Sequence, residues 1–442
     1  MTKNIIDRDL QYIWHPCVQM KDYEDFRPLV IKSAKGAYIK LANNTKIIDA
    51  ISSWWCKNLG HGHPKLKAAL LAQANKFEHV IFTNTTHKVI VDLSEKLAGL
   101  TKALNKVFYA SDGSSAVEAA IKMSLHARII AGETKRTQIM ALDNSYHGET
   151  GLALSATNIK LYRTPYEPLL SPFVFIKNIP YVSSKYDPLW QDCSKHWPSI
   201  IEQLTLHKDT LTAIIVEPIV QGAGGILIYS QDFLNRLRTW TQKNNIHLIA
   251  DEIMTGFGRT GLPLACQHAN IEPDFICLAK GLTAGWLPMS AVLTTNKIYN
   301  LFYDDFYQGK TFLHSHTHSG NALAAAVALE TIKVIEREKI YSRVIKMENL
   351  LYKLMQKVAE QTGKIHNIRY LGAMVAADLI LDEKQKKERY GYKIFKAGIK
   401  FGAFIRPLGN TIYWMPPLNI KEDLLWQLME ITKNAINFAF KK

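Results

Sequence analysis

The sequence predicts an α/β fold, with a large domain built on a mainly parallel sheet flanked by helices and a smaller α/β domain. The runs IHLIA (246–250) and DFICLA (274–279) are short, rich in Ile and Leu and bounded by turn-forming residues, as buried strands are. IIVEP (214–218), a helical segment near 232–244 and IHLIA follow one another, and such strand–helix alternation predicts a parallel sheet. Beyond about residue 335 the composition changes, which indicates the smaller region.

Three segments are expected. Residues 1–60 form the N-terminal part of the small domain, where LVIKSAKGAYIKLANNTKIIDAIS contains two extended runs around Asn43 and Asn44 and predicts a small antiparallel piece. Residues 61–335 form the large domain, and residues 336–442 return to the small one. The predicted elements of this last segment are a helix, two strands and a helix at about 338–360, 374–380, 403–414 and 420–438.

Composition and charge narrow the functional classes. The 54 basic and 39 acidic residues leave a formal charge of +15, and a positive charge of this size is typical of proteins that bind nucleic acid. The lysines are nevertheless spread along the chain, and the densest cluster, EKQKKER (383–389), mixes both signs, so a solvated helix face and no nucleic-acid partner are predicted. No apolar run reaches the roughly 18 residues of a membrane span. Five scattered cysteines without a CxxC pair indicate reduced thiols and a cytoplasmic protein.

A charged residue follows each of the two apolar runs at 246–250 and 274–279. Asp251, with Glu252 next to it, ends the first run, and Lys280 ends the second. Ligand crevices form at the carboxyl ends of strands in such sheets, so one crevice receives an acid and an amine. This pair suits a pyridine cofactor held by a lysine, with an acid on the ring nitrogen. Alternatively, the Lys280 side chain only extends from the strand end toward solvent and Asp251 only caps a turn. Nearby glycines favour the ligand site, because they let the backbone approach a ligand closely: Gly256, Gly258, Gly261 and Gly281.

Two further stretches could complete a cofactor site. Ser111–Ser115 lies between the predicted strand VFYA and the helix AVEAAIKMSLHARIIA, and small residues at a helix N-terminus leave backbone N–H groups for a phosphate. Tyr146 follows the strand QIMAL and could lie on a cofactor ring, or be an ordinary loop tyrosine.

Other conspicuous residues have two interpretations each. Of Trp54 and Trp55, one is expected in the core and one in a cavity, although two core tryptophans in an irregular loop would fit equally. Three alternate histidines between Phe312 and Asn321 would share one face of a strand and could bind zinc, or could belong to a phosphate-facing loop. GHGHP (60–64) reads as a turn before a helix through Ala74, and no metal is predicted. Arg406 could clamp a carboxylate or lie on the surface.

The segment IADEIMTGFGRTG, followed by CLAKGLTAG, resembles the cofactor-lysine region of the class III (ω-type) pyridoxal-phosphate aminotransferases. The resemblance covers nearly the whole chain, because IWHP, SSWW, GHGHP, DGSSAVEAAIKM, SYHGET, VEPIVQGAGG and FIRPLGNTIYWMPP stand in the family's order. It implies the fold of type I pyridoxal-phosphate transferases, pyridoxal 5'-phosphate as cofactor, and a homodimer with shared active sites.

The family's site residues carry over by position. Lys280 matches the lysine that binds the cofactor covalently, Asp251 matches the partner of the pyridine nitrogen, and Tyr146 matches the aromatic residue against the ring. These three are the expected catalytic residues, and Tyr146 and Lys280 also face the substrate. Asp112, Gly113 and Ser114 match the phosphate turn, and Cys17, Trp54 and Arg406 match the substrate contacts. Ser315, His316 and Thr317 match a loop that reaches the cofactor phosphate of the other subunit.

Within the family, the motifs are most similar to the biotin-pathway branch. This similarity implies amino transfer to 8-amino-7-oxononanoate, giving 7,8-diaminononanoate, with S-adenosylmethionine (SAM) as the usual donor. Members that use SAM typically read HPYT where this chain has His15-Pro16-Cys17-Val18, so lysine remains open as the donor.

Two rival functions remain. One is a different class III aminotransferase that acts on an ω-amino acid with 2-oxoglutarate or pyruvate. Glutamate-linked relatives typically carry a further acid in the loop that reads EPIVQGAG (217–224) here, and its absence counts against that function. The other is a non-enzymatic basic protein that binds nucleic acid, which would carry no chromophore.

Overall fold

The computed structural model describes residues 4–441, so residues 1–3 and Lys442, at the outer ends of the two predicted small-domain segments, lie outside it. The described chain contains these α-helices: α1 Ile5–Tyr12, α2 Ser52–Trp55, α3 Pro64–Ala74, α4 Lys88–Ala98, α5 Gly113–Ile130, α6 Gly151–Ala156, α7 Lys160–Arg163, α8 Pro188–Gln191, α9 Trp197–His207, α10 Gln231–Lys243, α11 Asn296–Phe302, α12 Ala322–Arg337, α13 Ile340–Thr362, α14 Glu383–Lys386, α15 Tyr390–Phe401 and α16 Glu422–Phe440.

The strands are β1 Ile31–Lys35, β2 Tyr38–Leu41, β3 Lys46–Asp49, β4 Lys106–Ala110, β5 Gln138–Leu142, β6 Val174–Ile176, β7 Tyr181–Val182, β8 Leu211–Val216, β9 Val220–Gln221, β10 Leu227–Tyr229, β11 His247–Asp251, β12 Phe275–Leu278, β13 Ser290–Thr294, β14 Ile365–Leu371, β15 Met374–Leu379, β16 Ala403–Phe404 and β17 Thr411–Trp414.

The central sheet has seven strands in the order β4-β13-β12-β11-β8-β5-β6. β13 is antiparallel to both of its neighbours, and every other pair is parallel, so the predicted mainly parallel α/β fold is confirmed. All residues of β8 are buried, as expected for a strand with helices on both faces. In the register of β11 and β12, Asp251 lies opposite Cys277, which brings the carboxyl ends of the two strands to the same edge.

Three smaller sheets surround the central one, in the orders β1-β2-β3-β16, β7-β10-β9 and β14-β15-β17. The predicted antiparallel piece near the N-terminus is present as β1, β2 and β3. β16 adds to it in parallel, so the N-terminal and C-terminal segments share one sheet. The boundaries 1–60, 61–335 and 336–442 remain predictions.

Several elements were not predicted, among them α1, α4, α9, α15 and β14. The alternative that puts the histidines between Phe312 and Asn321 on a strand is wrong, because residues 311–320 form an irregular loop with turns. Of the helices in the described part of the chain, none has the length and apolar character required to cross a bilayer.

Candidate active site

A cavity of about 450 Å³ opens at the carboxyl edge of the central sheet. This volume is typical of a site for a small molecule or cofactor. Nine of the residues predicted for the site line this cavity: Cys17, Trp54, Asp112, Gly113, Ser114, Tyr146, Asp251, Lys280 and Arg406. The tertiary structure therefore brings together side chains from both ends of the chain and from its middle.

Lys280 lies two residues beyond the end of β12, after Ala279, and begins a short 3-10 turn that ends at Thr283. Its backbone is in the left-handed region (φ 40°), and its amine lies 4.9 Å from the centre of the Trp55 ring. Desolvation by burial lowers the pKa of this amine, although the negative charges of Asp251 and Glu217 act in the opposite direction. A lowered pKa increases the fraction of neutral amine, which is the nucleophilic and basic form.

Asp251 ends β11 and is only 4% exposed. Its Oδ2 lies 2.8 Å from Nδ1 of His147, and its Oδ1 accepts a hydrogen bond from the Ile253 amide. His147 is also buried, and its Nε2 has no hydrogen-bond partner among residues 4–441. The sequence analysis assigned His147 no role, although it lies next to Tyr146. The histidine holds the carboxylate in one orientation toward the cavity.

Tyr146 lies between two carboxylates. Its amide donates to Oε2 of Glu217 at 2.9 Å, and its hydroxyl donates to Oε1 of Glu149 at 2.8 Å. Its ring contacts that of Tyr162 edge to face. Burial, followed by the hydrogen bond to Glu149, raises the pKa of Tyr146 far above its ordinary value, so the phenol stays protonated.

Glu217 is a buried carboxyl group of the cavity that the sequence analysis left without a role. Both of its oxygens accept backbone N–H groups, from Tyr146 and from Gly222. Burial raises the pKa of Glu217 to about 7. Glu217 follows the end of β8, just as Asp251 ends β11. The rule that ligand crevices form at the carboxyl ends of such strands therefore applies to Glu217 as well as to Asp251.

The predicted phosphate turn lies at the N-terminus of α5. Asp112 is the N-cap, and its Oδ1 accepts the Ser115 amide at 3.0 Å. The N–H groups of the first turn have no acceptor within a helix, and the dipole of this 18-residue helix favours an anion there. A Cβ added at Gly113 would lie 3.0 Å from Cδ1 of Ile253, so this position has little room for a side chain. These donors fit a phosphate group.

A second wall of the cavity is formed by residues outside the central sheet. The guanidinium of Arg406 lies 4.8 Å from the Trp54 ring centre, and its Nη2 donates to the backbone oxygen of Cys17 at 2.9 Å. Trp55 donates from Nε1 to the hydroxyl of Tyr413 at 2.9 Å. The expectation that only one tryptophan lines a cavity needs correction, since both do, and Trp55 also packs against the core.

Ser315, His316 and Thr317 do not line the cavity of this chain. His316 accepts the Ser111 amide through Nδ1 at 3.4 Å, and the backbone oxygen of Thr317 lies 2.8 Å from Nε2 of His79. The expected contact of this loop with another subunit remains a prediction. Within residues 4–441, no group of three or more His, Cys, Asp or Glu side chains is arranged to hold a metal ion.

The aminotransferase class-III family model matches residues 19–436, and the chain therefore belongs to the class III aminotransferases. The resemblance drawn from the motifs is confirmed. Among curated relatives, the adenosylmethionine-8-amino-7-oxononanoate aminotransferase of Helicobacter pylori is 39% identical and covers 95% of each chain. The enzyme of that name from Aquifex aeolicus is 35% identical, with 97% of this chain and 96% of that one covered.

Solved structures agree with this assignment. The adenosylmethionine-8-amino-7-oxononanoate aminotransferase of Methanocaldococcus jannaschii superposes with a TM-score of 0.90 at 32% identity, over 99% of both chains. An amine transaminase from an uncultivated Pseudomonas species, in a PLP-bound form, has a TM-score of 0.88 at 29% identity, over 97% of this chain and 99% of that one. The expected fold of a type I pyridoxal-phosphate transferase is thereby confirmed.

Proposed function

We propose that this aminotransferase transfers an amino group to 8-amino-7-oxononanoate, giving 7,8-diaminononanoate for biotin synthesis, with SAM or lysine as the donor. The observation that carries the proposal is one cavity that is lined both by Lys280 and Asp251, at adjacent strand ends, and by Arg406. The substrate assignment is supported by the similarity to the relatives from Helicobacter pylori and Aquifex aeolicus, both of which are named for this substrate.

The residues present fit pyridoxal 5'-phosphate. Lys280 would bind it covalently, Asp251 would pair with the ring nitrogen, and Tyr146 would lie against the ring. The turn at Asp112, with Gly113 and Ser114, would receive the phosphate. When bound, this cofactor supplies an electron sink for the carbon that carries the amino group.

The protein's own groups then have distinct tasks. With its lowered pKa, Lys280 Nζ can take the proton from the carbon that bears the transferred amino group and return it in the second half of the reaction. Asp251, oriented by His147, provides a fixed negative charge at a buried position. Arg406 would bind the remote carboxylate of the substrate in two parallel hydrogen bonds, so that the ketone lies next to Lys280.

The test is to supply 8-amino-7-oxononanoate with SAM or lysine as the sole amine source and to detect 7,8-diaminononanoate by mass spectrometry. We expect product with one of the two donors. If ornithine or 4-aminobutyrate bleaches the cofactor absorbance while SAM and lysine do not, the substrate assignment is wrong and the alternative is an ω-amino acid aminotransferase.

We also propose a homodimer with shared active sites, in the cytoplasm. Three large apolar side chains are exposed in or near the loop of residues 311–320 that contains the histidines, namely Phe306, Tyr307 and Leu313. They are suited to burial against a second copy, which would bring Thr317 and its neighbours to the partner's phosphate turn. All five cysteines are free thiols, which is consistent with a reducing compartment. Light scattering of the purified protein measures the mass, and a monomer that is active would contradict the shared site.

A further inference from the structure

The segment that carries both cavity tryptophans has an unusual backbone. Ser52, Ser53 and Trp55 have φ values of 51°, 59° and 63°, a region that residues other than glycine rarely occupy. Ser53 combines its φ with a ψ of −94°, close to a γ-turn conformation that is strained for a residue with a side chain. Such a conformation persists only where the surroundings enforce it, and strained segments of this kind cluster at functional sites.

The side chain of Asp49 enforces this conformation. Its Oδ1 accepts the amides of Ile51 at 3.3 Å and Ser53 at 2.8 Å, and its Oδ2 accepts the Ser53 hydroxyl at 2.9 Å. Nε2 of His61 lies 2.8 Å from the same Oδ2. Asp49 is fully buried, so its carboxylate depends on these four contacts in place of water. Two of the four are to Ser53 in the strained segment, and a third is to the amide of Ile51, which immediately precedes this segment.

The position of this segment decides where both indole rings lie. The Trp55 ring lies beside the Lys280 amine, and a Cβ added at Gly222 would come within 2.9 Å of it. The Trp54 ring lies against the Arg406 guanidinium. A relaxed backbone at Ser53 would turn both rings, because the indole directions follow from the φ and ψ angles that precede them.

We propose that Asp49, oriented by His61, is a positioning residue of the active site, which holds the strained segment so that Trp54 and Trp55 form the substrate wall. Asp49 touches no substrate itself and acts through Ser53. The proposal rests on the function proposed above only for the choice of substrate, since the segment and its contacts are features of the fold.

The experiment compares Asp49→Asn with the double variant Asp49→Asn/Ser53→Gly in the holoenzyme. Asparagine keeps the shape of the side chain but removes the charge and one acceptor, and we expect KM for 8-amino-7-oxononanoate to rise about tenfold while kcat changes less than about threefold. Glycine adopts the backbone of Ser53 without strain, so the double variant should recover KM to within about threefold of the parent protein. A general loss of stability would lower the fraction of active protein, and therefore kcat, without this change in KM.

Asp274→Asn is the matched control. Its carboxylate accepts the Leu248 amide at 2.8 Å and pairs with Arg238, at the amino end of β12 and away from the cavity. Near-ultraviolet circular dichroism of the indole rings gives a second readout that needs no turnover. We expect Asp49→Asn to change it, the double variant to restore it and Asp274→Asn to leave it unchanged.

The outcomes separate the two proposals. If the protein does not use 8-amino-7-oxononanoate, the proposed function fails, while the indole signal and the donor half-reaction still test Asp49. An unchanged indole signal together with an unchanged KM in Asp49→Asn would overturn the positioning role, and so would the same rise in KM in Asp274→Asn. If Asp49→Asn does not fold, Ser53→Ala removes only the hydroxyl contact. It should raise KM about threefold, and an unchanged KM would contradict the proposal.

Discussion

The two walls of the cavity are built differently. The sheet wall, with Asp251, Glu217 and Lys280, lies at the ends of β11, β8 and β12, and a continuous hydrogen-bonded ladder sets its spacing. The loop wall, with Cys17, Trp54 and Arg406, is joined by one hydrogen bond and one ring contact, and Trp54 remains 50% exposed. The residues proposed for the chemistry therefore lie at the ends of sheet strands, while those proposed for recognition lie outside the central sheet.

If this contrast is correct, a substitution on the sheet wall should reduce the rate, and one on the loop wall should change affinity. The largest effect is expected for Lys280→Ala, which removes the only amine proposed to bind the cofactor covalently. Activity should fall by about 10⁵-fold or more, and borohydride should no longer fix a chromophore on the protein. Lys280→Arg keeps a positive charge and is the control. Turnover by either variant at a rate near that of the parent would refute the assignment.

Asp251→Asn should have the second largest effect, since it removes the fixed charge proposed for the ring nitrogen. We expect kcat to fall by about 10²–10³-fold with a smaller change in KM. The pKa of Lys280 should fall further, because the charge of Asp251 opposes the effect of burial on that amine. The pH dependence of the first half-reaction measures this shift. If Asp251→Asn raised KM and left kcat unchanged, Asp251 would act in substrate binding, as proposed for the loop wall.

Glu217→Gln tests how much the burial of an acid on the sheet wall changes the free energy of unfolding. Burial raises the pKa of Glu217 from 4.5 to about 7, so between these values the folded protein holds a proton that the unfolded chain has lost. The free energy of unfolding should therefore fall as pH rises from about 4.5 to about 7, by up to about 3 kcal/mol from this group.

The glutamine variant should lack this contribution, and urea unfolding of the cofactor-free protein at pH 5 and pH 7 measures the difference. Glu430→Gln on α16 is the control, because its carboxylate is about half exposed and paired with Lys433 at the surface. The same pH slope in the parent and in Glu217→Gln would show that Glu217 does not titrate in this window.

Arg406→Ala should have the smallest effect of the four and should act on the loop wall. KM for the substrate that bears the carboxylate should rise about tenfold to a hundredfold, which corresponds to about 1.4–3 kcal/mol, with little change in kcat. Arg406→Lys should recover only part of the loss, since an ammonium cannot pair in two parallel hydrogen bonds. Arg389→Ala, an exposed arginine paired with Asp22, is the control. A fall in kcat alone would remove the distinction between the walls.

Local sequence located two of the three sheet-wall residues, Asp251 and Lys280, but gave no role to Glu217. The runs that became β11 and β12, and the charges that follow them, were recognisable because a buried strand leaves a continuous apolar run. The helix that begins at Pro64 and the helix start after Ser111–Ser115 were also recognisable, since a helix start depends on residues within one turn. The resemblance added Trp54 and Arg406, which no local pattern distinguishes from a surface residue.

The sequence by itself determined the fold class, the order of the strands that carry charge, and the family. Only the tertiary structure decided that His147 meets Asp251 across 104 positions, that Arg406 reaches Cys17 across 389, and that Asp49 holds the tryptophan segment. The physical reason is the separation in sequence between the residues that interact. A strand or a helix start follows from the propensities of adjacent residues, whereas contacts between distant residues follow from the packing of the whole chain, which no single segment encodes.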